Sequence, residues 1–319
     1  MSVLGELGQD EARKVRADAR PIEAAAGRKR RFTTAGIALK YAALGVGATL
    51  MLLPFLDMFI GALRGPRDVF ANPPRYFPGD PQWGVYARVF RELPMWGWIL
   101  NSVIVTTMIT ALQVATSTMA GFALAKYDFP GRAAFFKLVV GAQMFPFFLF
   151  IIPIFFILRF APLMGGNDLW GQGGSGVLGS YAALILPFTV TWYGVFLMRQ
   201  FFMGVPDKLM EAARLEGASE YQIFRLIMLP LVKPAIATLT VFAFVYHWNE
   251  FIWTMTVTRT APHLQTLPVG IFLLEGAFDD LDQKSLQQAA LAVSILPVLV
   301  VFGLAQRFYV NSSLASALK

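Results

Sequence analysis

Side chains able to do chemistry are sparse in this chain and gather in three places. The first is a row of small polar residues, Ser102, Thr106, Thr110, Gln113, Ser117 and Gly121, spaced by four, four, three, four and four. On an α-helix this spacing puts all six on one face. Such a row is either a seam where small residues let another helix approach, or the wall of a polar pathway in which Gln113 offers a donor and an acceptor to a hydroxyl. The second place is Tyr246-His247-Trp248-Asn249-Glu250. His247 and Glu250 share a helix face and can pair, with Thr254 one turn beyond, as a structural pair at a helix end or as a gate for a passing solute.

The third place is the stretch from Met203 to Pro234, the longest mixed polar–apolar segment between two strongly apolar runs. Its pattern predicts two short helices joined at a glycine. Pro206 and Asp207 start the first, the Asp carboxylate accepting from the orphan N–H groups of the next turn. Lys208 to Glu216 are nearly all helix formers, and Gly217 is a natural left-handed stop. Ser219 opens the second helix with Gln222 completing a capping box, and Leu229-Pro230 and Pro234 end it. Ala212, Ala213, Gly217 and Ala218 keep one surface low enough for another protein's backbone, while Glu211, Arg214 and Glu216 ring it with charge. A solvated loop helix with local i,i+3 pairing has the same composition.

No constellation for covalent or metal chemistry accompanies these residues. With no cysteine and two histidines, His247 and His263, there is no thiolate nucleophile and little to hold zinc. The chain has no G-x-x-x-x-G-K-[ST] loop. Gly165-Gly166-Asn167-Asp168 and Gly171-Gln172-Gly173-Gly174 read as a flexible turn instead.

The elements that position these groups belong to an all-α membrane protein. Of 319 residues 56% are hydrophobic and 15% charged, against about 25% charged in ordinary soluble domains. Six apolar segments, near 36–62, 97–125, 134–159, 177–203, 233–258 and 285–309, are each long enough to cross the ~30 Å hydrocarbon core as a helix. They lack the alternation of barrel strands. With the N-terminus inside, the inner segments hold 19 of the 27 basic residues and the outer ones 8, which puts both termini and the Glu211 hairpin in the cytoplasm.

Residues 1–35 form a basic cytoplasmic tail ending in Arg28-Lys29-Arg30-Arg31. This cluster is a topology signal compatible with anionic headgroups, and no cleaved signal peptide is apparent. Residues 36–310 form the six-span domain with its hairpin at 204–234, and 311–319 a short cytoplasmic tail. The outer loop at 63–96 suits an irregular cap with a short helix near Trp83 to Leu93. Kinks are expected at Pro146, Pro153, Pro187 and Pro297. Glu250, sixteen residues past Pro234 or roughly 24 Å along a helix, belongs towards the outer surface.

Glu211-Ala212-Ala213, Gly217-Ala218, Phe224, Ile227 and Leu229-Pro230 resemble the EAA signature of ABC-importer permease subunits. Asn101-Ser102, Ala120-Gly121-Phe122-Ala123 and Phe129-Pro130-Gly131 resemble the second span and first inner loop of carbohydrate-uptake permeases. Trp248-Asn249-Glu250-Phe251, Leu267-Pro268-Val269-Gly270 and Gln306-Arg307-Phe308 resemble their final third. Together they look like the smaller permease of a maltose-importer-type system, over nearly everything after residue 83.

The resemblance implies a type I ABC-importer permease fold in a bacterial or archaeal cytoplasmic membrane. It implies a second permease subunit, two ATP-binding cassette subunits and an extracytoplasmic sugar-binding protein, with ATP and magnesium on the partner ATPases and no cofactor on this chain. The hairpin becomes the coupling helix that docks in a groove of the ATPase. Glu211 then makes a charged contact, Ala212 and Ala213 fit the groove, Gly217 allows the turn, and Glu216, Ala218, Leu229 and Pro230 complete the motif. The outer loop at 259–284, with Glu275, Asp279, Asp280 and Asp282, corresponds to the segment that meets the binding protein.

The chain departs from the family at Glu216, where Asp is common, and at Asn311-Ser312-Ser313, where glycine is usual. Residues 1–27 have no counterpart there. An importer for glycerol phosphate or a polyamine fits the same residues. An ion-coupled secondary transporter should show a repeat of spans, and no second hairpin like Glu211–Pro230 is present. A membrane enzyme lacks its catalytic set.

Overall fold

The structure is a computed structural model that describes residues 34–69, 71, 73, 75–275 and 281–317. The Arg28–Arg31 cluster, Asp279 and Asp280 lie outside them. All regular elements among the described residues are helical. Helix α1 (Thr34–Leu63) continues through Pro54, and its stretch up to Asp57 forms a unit by itself. Leu39, Leu44, Leu50 and Met51 on that stretch are exposed, as befits a helix whose solvent is lipid or another protein.

The second unit follows from Met58. It comprises α2 (Val85–Glu92), α3 (Met95–Lys126), α4 (Arg132–Ala142), α5 (Ile151–Arg159), α6 (Tyr181–Ile185), α7 (Trp192–Met203), α8 (Lys208–Leu215), α9 (Lys233–Trp248), α10 (Ile252–Thr258), α11 (Leu267–Glu275) and α12 (Leu281–Ala317). Helix α2 is the short helix expected near Trp83 to Leu93.

Among the described residues, three stretches are long and apolar enough to span a membrane unbroken: Gly36–Leu63, Met95–Lys126 and Lys284–Leu304. Three more qualify only as bent pairs: α4 with Phe147–Arg159 at 96°, Tyr181–Phe188 with α7 at 45°, and Glu220–Leu231 with α9 at 77°. The six expected spans thus correspond to three unbroken helices and up to three broken ones. Pro146 and Pro187 sit at two of the breaks, where a missing N–H and a ring clash end the ladder. Pro153 lies in the first turn of α5, where its N–H would have no partner anyway, and α12 runs on through Pro297.

The expected span 233–258 also ends early. α9 stops at Trp248, and α10 begins only at Ile252. The segment expected as an outer loop from 259 instead packs inwards, with Leu264, Leu267, Val269 and Ile271 buried. The Gly165–Ser180 loop, expected to be flexible, is tightly bonded. Asn167 donates to Arg159 O at 2.9 Å and Ala161 O at 3.1 Å, and Asp168 accepts from Trp170 N and Gln172 N at 2.8 Å each.

Helix α3 threads three apolar cores in turn. Met95 and Trp98 pack with α2, α11 and the start of α12; Val105 and Ile109 pack with α5, α6 and α10; Phe122 packs with α7, α8 and the start of α9. The seam with α7 is close because glycines face it. A Cβ on Gly121 would lie 2.6 Å from Met198 Cβ and 2.8 Å from Arg199 N, and one on Gly194 would lie 2.3 Å from Ser117 Oγ.

This geometry predicts that Gly121→Val forces α3 and α7 apart and lowers stability by about 1–3 kcal/mol, as overpacking does. Gly97→Ala, with nothing within 4 Å of the added carbon, serves as the control. Thermal unfolding in detergent should separate the two variants.

Candidate functional site

The Met203–Pro234 stretch folds as a hairpin held by short-range signals. Gly217 takes φ +83°, a left-handed conformation that ends α8 at no steric cost. Ser219 Oγ accepts from Gln222 N at 3.3 Å while Gln222 Oε1 accepts from Ser219 N at 2.7 Å, the reciprocal box expected there. The second arm does not end at Leu229-Pro230. One α-turn (Glu220–Gln222) passes into a π-helical stretch (Ile223–Met228) and another turn (Leu229–Leu231) before the bend into α9. Pro230 has no N–H for Leu226, and the wider turn keeps its ring clear of that carbonyl. Pro234 starts α9 rather than ending its predecessor.

Two expected roles are corrected. Asp207 does not cap α8 with its side chain; its backbone is already helical at φ −66° and its carbonyl accepts from Glu211 N at 3.1 Å. The carboxylate is taken by Lys126, whose ammonium donates to Asp207 Oδ1 and to Val205 O at 2.5 Å each. Ala213 is not on an open surface but buried with Met210, Ile223 and Met228, because the second arm folds back over it. Ala218 is half-buried against the same core. Glu211, Ala212, Glu216 and Gly217 remain exposed, joined by Leu215, which is 90% exposed.

The hairpin is fastened to the foot of α3 in two places. The Lys126 side chain is only 3% exposed, and its ammonium is met by the oxygens of the hairpin's first turn. Beside it, Tyr127 donates to Glu220, which also accepts from Arg214 Nε at 2.7 Å. Arg214 and then Tyr127 hold the Glu220 carboxyl below its ordinary range, while burial and then Glu220 push the Tyr127 phenol up. Leu124 O, in the last turn of α3, accepts from Arg132 Nε at 2.9 Å and Arg199 Nε at 3.3 Å, cations placed where the helix dipole favours them. Sequence reasoning did not find the Lys126–Tyr127 fastening. Its signal was a cation closing an apolar run, which was read for topology alone.

The polar row on α3 serves two purposes. Ser102, Thr106, Thr110, Gln113, Ser117 and Gly121 are all buried. Towards the C-terminal end of α3, Ser117 and Gly121 form the α7 seam; towards its N-terminal end, Ser102 Oγ accepts from Leu267 N at 2.8 Å, at the start of α11. In the middle, Gln113 Nε2 reaches Phe188 O at 2.7 Å and His247 Nε2 at 3.0 Å. Gln113 and His247 border a cavity of about 450 Å³ between the 186–191 break, α7 and α9. Thr110 Oγ1, Ser117 Oγ and His247 Nδ1 are buried without a partner among the described residues. His247 and Glu250 do not pair. Glu250 caps α10 by accepting from Trp253 N at 2.7 Å and from Thr254 N and Oγ1 at 3.1 and 2.7 Å. Asn249 Nδ2 turns back to Val245 O at 2.8 Å.

Comparison with known proteins gives a consistent picture. Residues 113–312 match the family model of the binding-protein-dependent transport system inner membrane component. An arabinooligosaccharides transport system permease protein of Halalkalibacterium halodurans is 31% identical over 266 residues, covering 82% of this chain and 89% of that protein. An sn-glycerol-3-phosphate transport system permease protein of Pectobacterium atrosepticum is 31% identical over 272 residues, covering 83% and 92%. Among solved structures, a chain of a bacterial ABC transporter involved in the import of the acidic polysaccharide alginate superposes with a TM-score of 0.73 at 24% identity, over 88% of this chain and 98% of that one.

Replacing Lys126 by Met should free the start of α8. Amide exchange across residues 205–211 is expected to rise roughly ten- to a hundredfold, the equivalent of about 1.5–3 kcal/mol for hydrogen bonds to a charged group. The Glu220 fastening follows pH. Its folded carboxyl titrates below the ordinary range, so its contribution is complete above that range and is lost as pH falls through the lowered value. Protection factors at residues 214–220, taken against the intrinsic exchange rate at each pH, should fall on acidification in the wild type and be already lowered, and less pH-dependent, in Glu220→Gln.

Proposed function

The chain belongs to the family of binding-protein-dependent transport system inner membrane components, and on that premise we propose that it is the membrane-spanning subunit of an ATP-driven sugar importer. It forms half of the translocation pathway beside a second permease subunit. Two ATP-binding cassette subunits supply the hydrolysis and hold ATP and magnesium, and an extracytoplasmic binding protein delivers the sugar. The chain is a transport subunit and not an enzyme. It crosses a bacterial or archaeal cytoplasmic membrane six times, three crossings being broken helices, with both termini and the hairpin in the cytoplasm.

The observation that carries this reading is the hairpin's division into two faces. The inner face (Met210, Ala213, Ile223, Met228) is packed into the chain's own core; the outer face (Glu211, Ala212, Leu215, Glu216, Gly217) is bare. A bare face on a rigidly fastened hairpin suits docking in a groove of an ATPase. Closure of that ATPase would then move the hairpin and the foot of α3 as one body. The sugar assignment draws support from the arabinooligosaccharide and alginate systems. Glycerol phosphate is the second reading, favoured by the similarity to the sn-glycerol-3-phosphate permease.

Purification of tagged protein from native membranes is expected to bring down an ATP-hydrolysing partner. Leu215→Glu and Glu211→Lys should lose that partner while the protein stays in the membrane, and Gly217→Pro should abolish uptake by spoiling the turn. A bulky charge at Ala213 probes the hairpin's own core instead. A protein that arrives alone, or Leu215→Glu that retains full ATPase and uptake, contradicts the docking face.

A further inference from the structure

The cavity bordered by Gln113 and His247 has a chemistry that narrows the solute. Its volume, about 450 Å³, lies within the ~300–1,000 Å³ of small-ligand sites. Its walls include Trp192, Tyr193, Phe242 and Tyr246, and no residue lining it carries a formal charge. Trp192, Phe242 and Tyr246 are exposed, while Gln113 and His247 are buried.

The polar corner is fixed by its hydrogen bonds. Phe188 O can only accept, so it must face the amide nitrogen of Gln113 and not its oxygen. The second N–H of that nitrogen then points to His247 Nε2, which must accept. His247 is therefore neutral, with its proton on Nδ1. Gln113 Oε1 is left as an acceptor with no partner among the described residues. The corner thus offers a neutral hydrogen-bond acceptor and neutral aromatic walls.

An anion placed here would lose its water and gain no counter-charge, a cost of several kcal/mol or more. Arg199, the cation within α7, is engaged with Leu124 O and stacked 4.0 Å over Phe136. A neutral sugar ring suits the cavity on both counts. Its hydroxyls can donate to Gln113 Oε1, and its C–H face can lie on aromatic rings whose faces are electron-rich. We propose that this cavity is a subsite for an uncharged sugar ring, so that the transported solute is a neutral oligosaccharide rather than a phosphate ester or an acidic saccharide.

The proposal rests on the importer reading above and adds to it where and what this subunit binds. The absence of cysteine makes it testable, because Tyr246→Cys and Phe242→Cys each give this chain its one thiol. The complete importer, held with ATP and vanadate, is treated with a maleimide in the presence of arabinotriose, maltotriose, xylotriose, an alginate trimer or glycerol 3-phosphate. Label is read on this subunit's band. Leu226→Cys, on the hairpin, is the control that no solute should protect. A neutral trisaccharide that is taken up should slow labelling of both cavity thiols at least tenfold, with no effect from the alginate trimer or glycerol 3-phosphate.

Protection by either anion, or uptake of an anion and of no neutral saccharide, overturns the neutral-sugar assignment. Uptake of a neutral trisaccharide that protects neither thiol overturns the subsite and leaves the importer reading intact. Loss of ATP-driven uptake for every solute in the cysteine-free parent overturns the importer reading and the subsite with it.

Discussion

One buried ammonium group organises the working end of this protein. Lys126 closes the 32-residue helix α3, and its side chain is almost wholly withdrawn from solvent. An ammonium so placed needs oxygen partners, and the start of the hairpin lies against it. Val205 O and Asp207 provide them. From that contact the hairpin continues through α8, Gly217 turns it, and the second arm returns over Met210 and Ala213. Tyr127, next to Lys126, then meets the returning arm at Glu220. The two fastenings use neighbouring residues of α3 to grip both arms.

What is fastened to the hairpin is in turn fastened to everything else. α3 contributes residues to all three apolar cores, and its polar face meets α7, α9 and α11 in succession. The seam with α7 has no room for a side chain at Gly121, so the two helices cannot slide without separating. Breaks in the neighbouring helices lie beside the middle of α3, at Leu186–Thr191 and after Trp248. Rigid rod, tight seam and broken neighbours are the parts a moving half-channel requires. A displacement at the hairpin would be delivered to the level of Gln113 and His247, where the cavity lies.

Local chemistry was legible in the sequence, and contacts across the chain were not. Gly217 and the Ser219–Gln222 box could be read because each depends on residues within a few positions. Asp207 looked like a cap by the same rules, but a lysine far back along the chain claimed its carboxylate. Ala213 looked exposed because the pattern of α8 alone cannot show which arm folds over it. The break after Trp248 was hidden because apolar residues resume directly after Asn249-Glu250 and run on into α10. Only the carboxylate of Glu250, read as half of an ion pair, marked a new helix start. The polar row raised two alternatives, seam or pathway, and the fold assigns its two ends to packing and its middle to a cavity. The inward packing of Leu267–Ile271 went unforeseen because Ser102 and Trp98, which receive it, lie some 165 residues earlier in the chain.

The central claim is that hairpin and α3 move as one body. Its most direct test is a distance measured by electron spin resonance between labels on Leu226→Cys in the hairpin and Met108→Cys on α3, both exposed and both in a cysteine-free chain. The complete importer would be compared without nucleotide and with ATP bound. The account predicts one narrow distance distribution, unchanged between the two states, in a complex whose ATPase subunits demonstrably close. A distribution that shifts or broadens when ATP binds would show the hairpin moving against α3, and would contradict it.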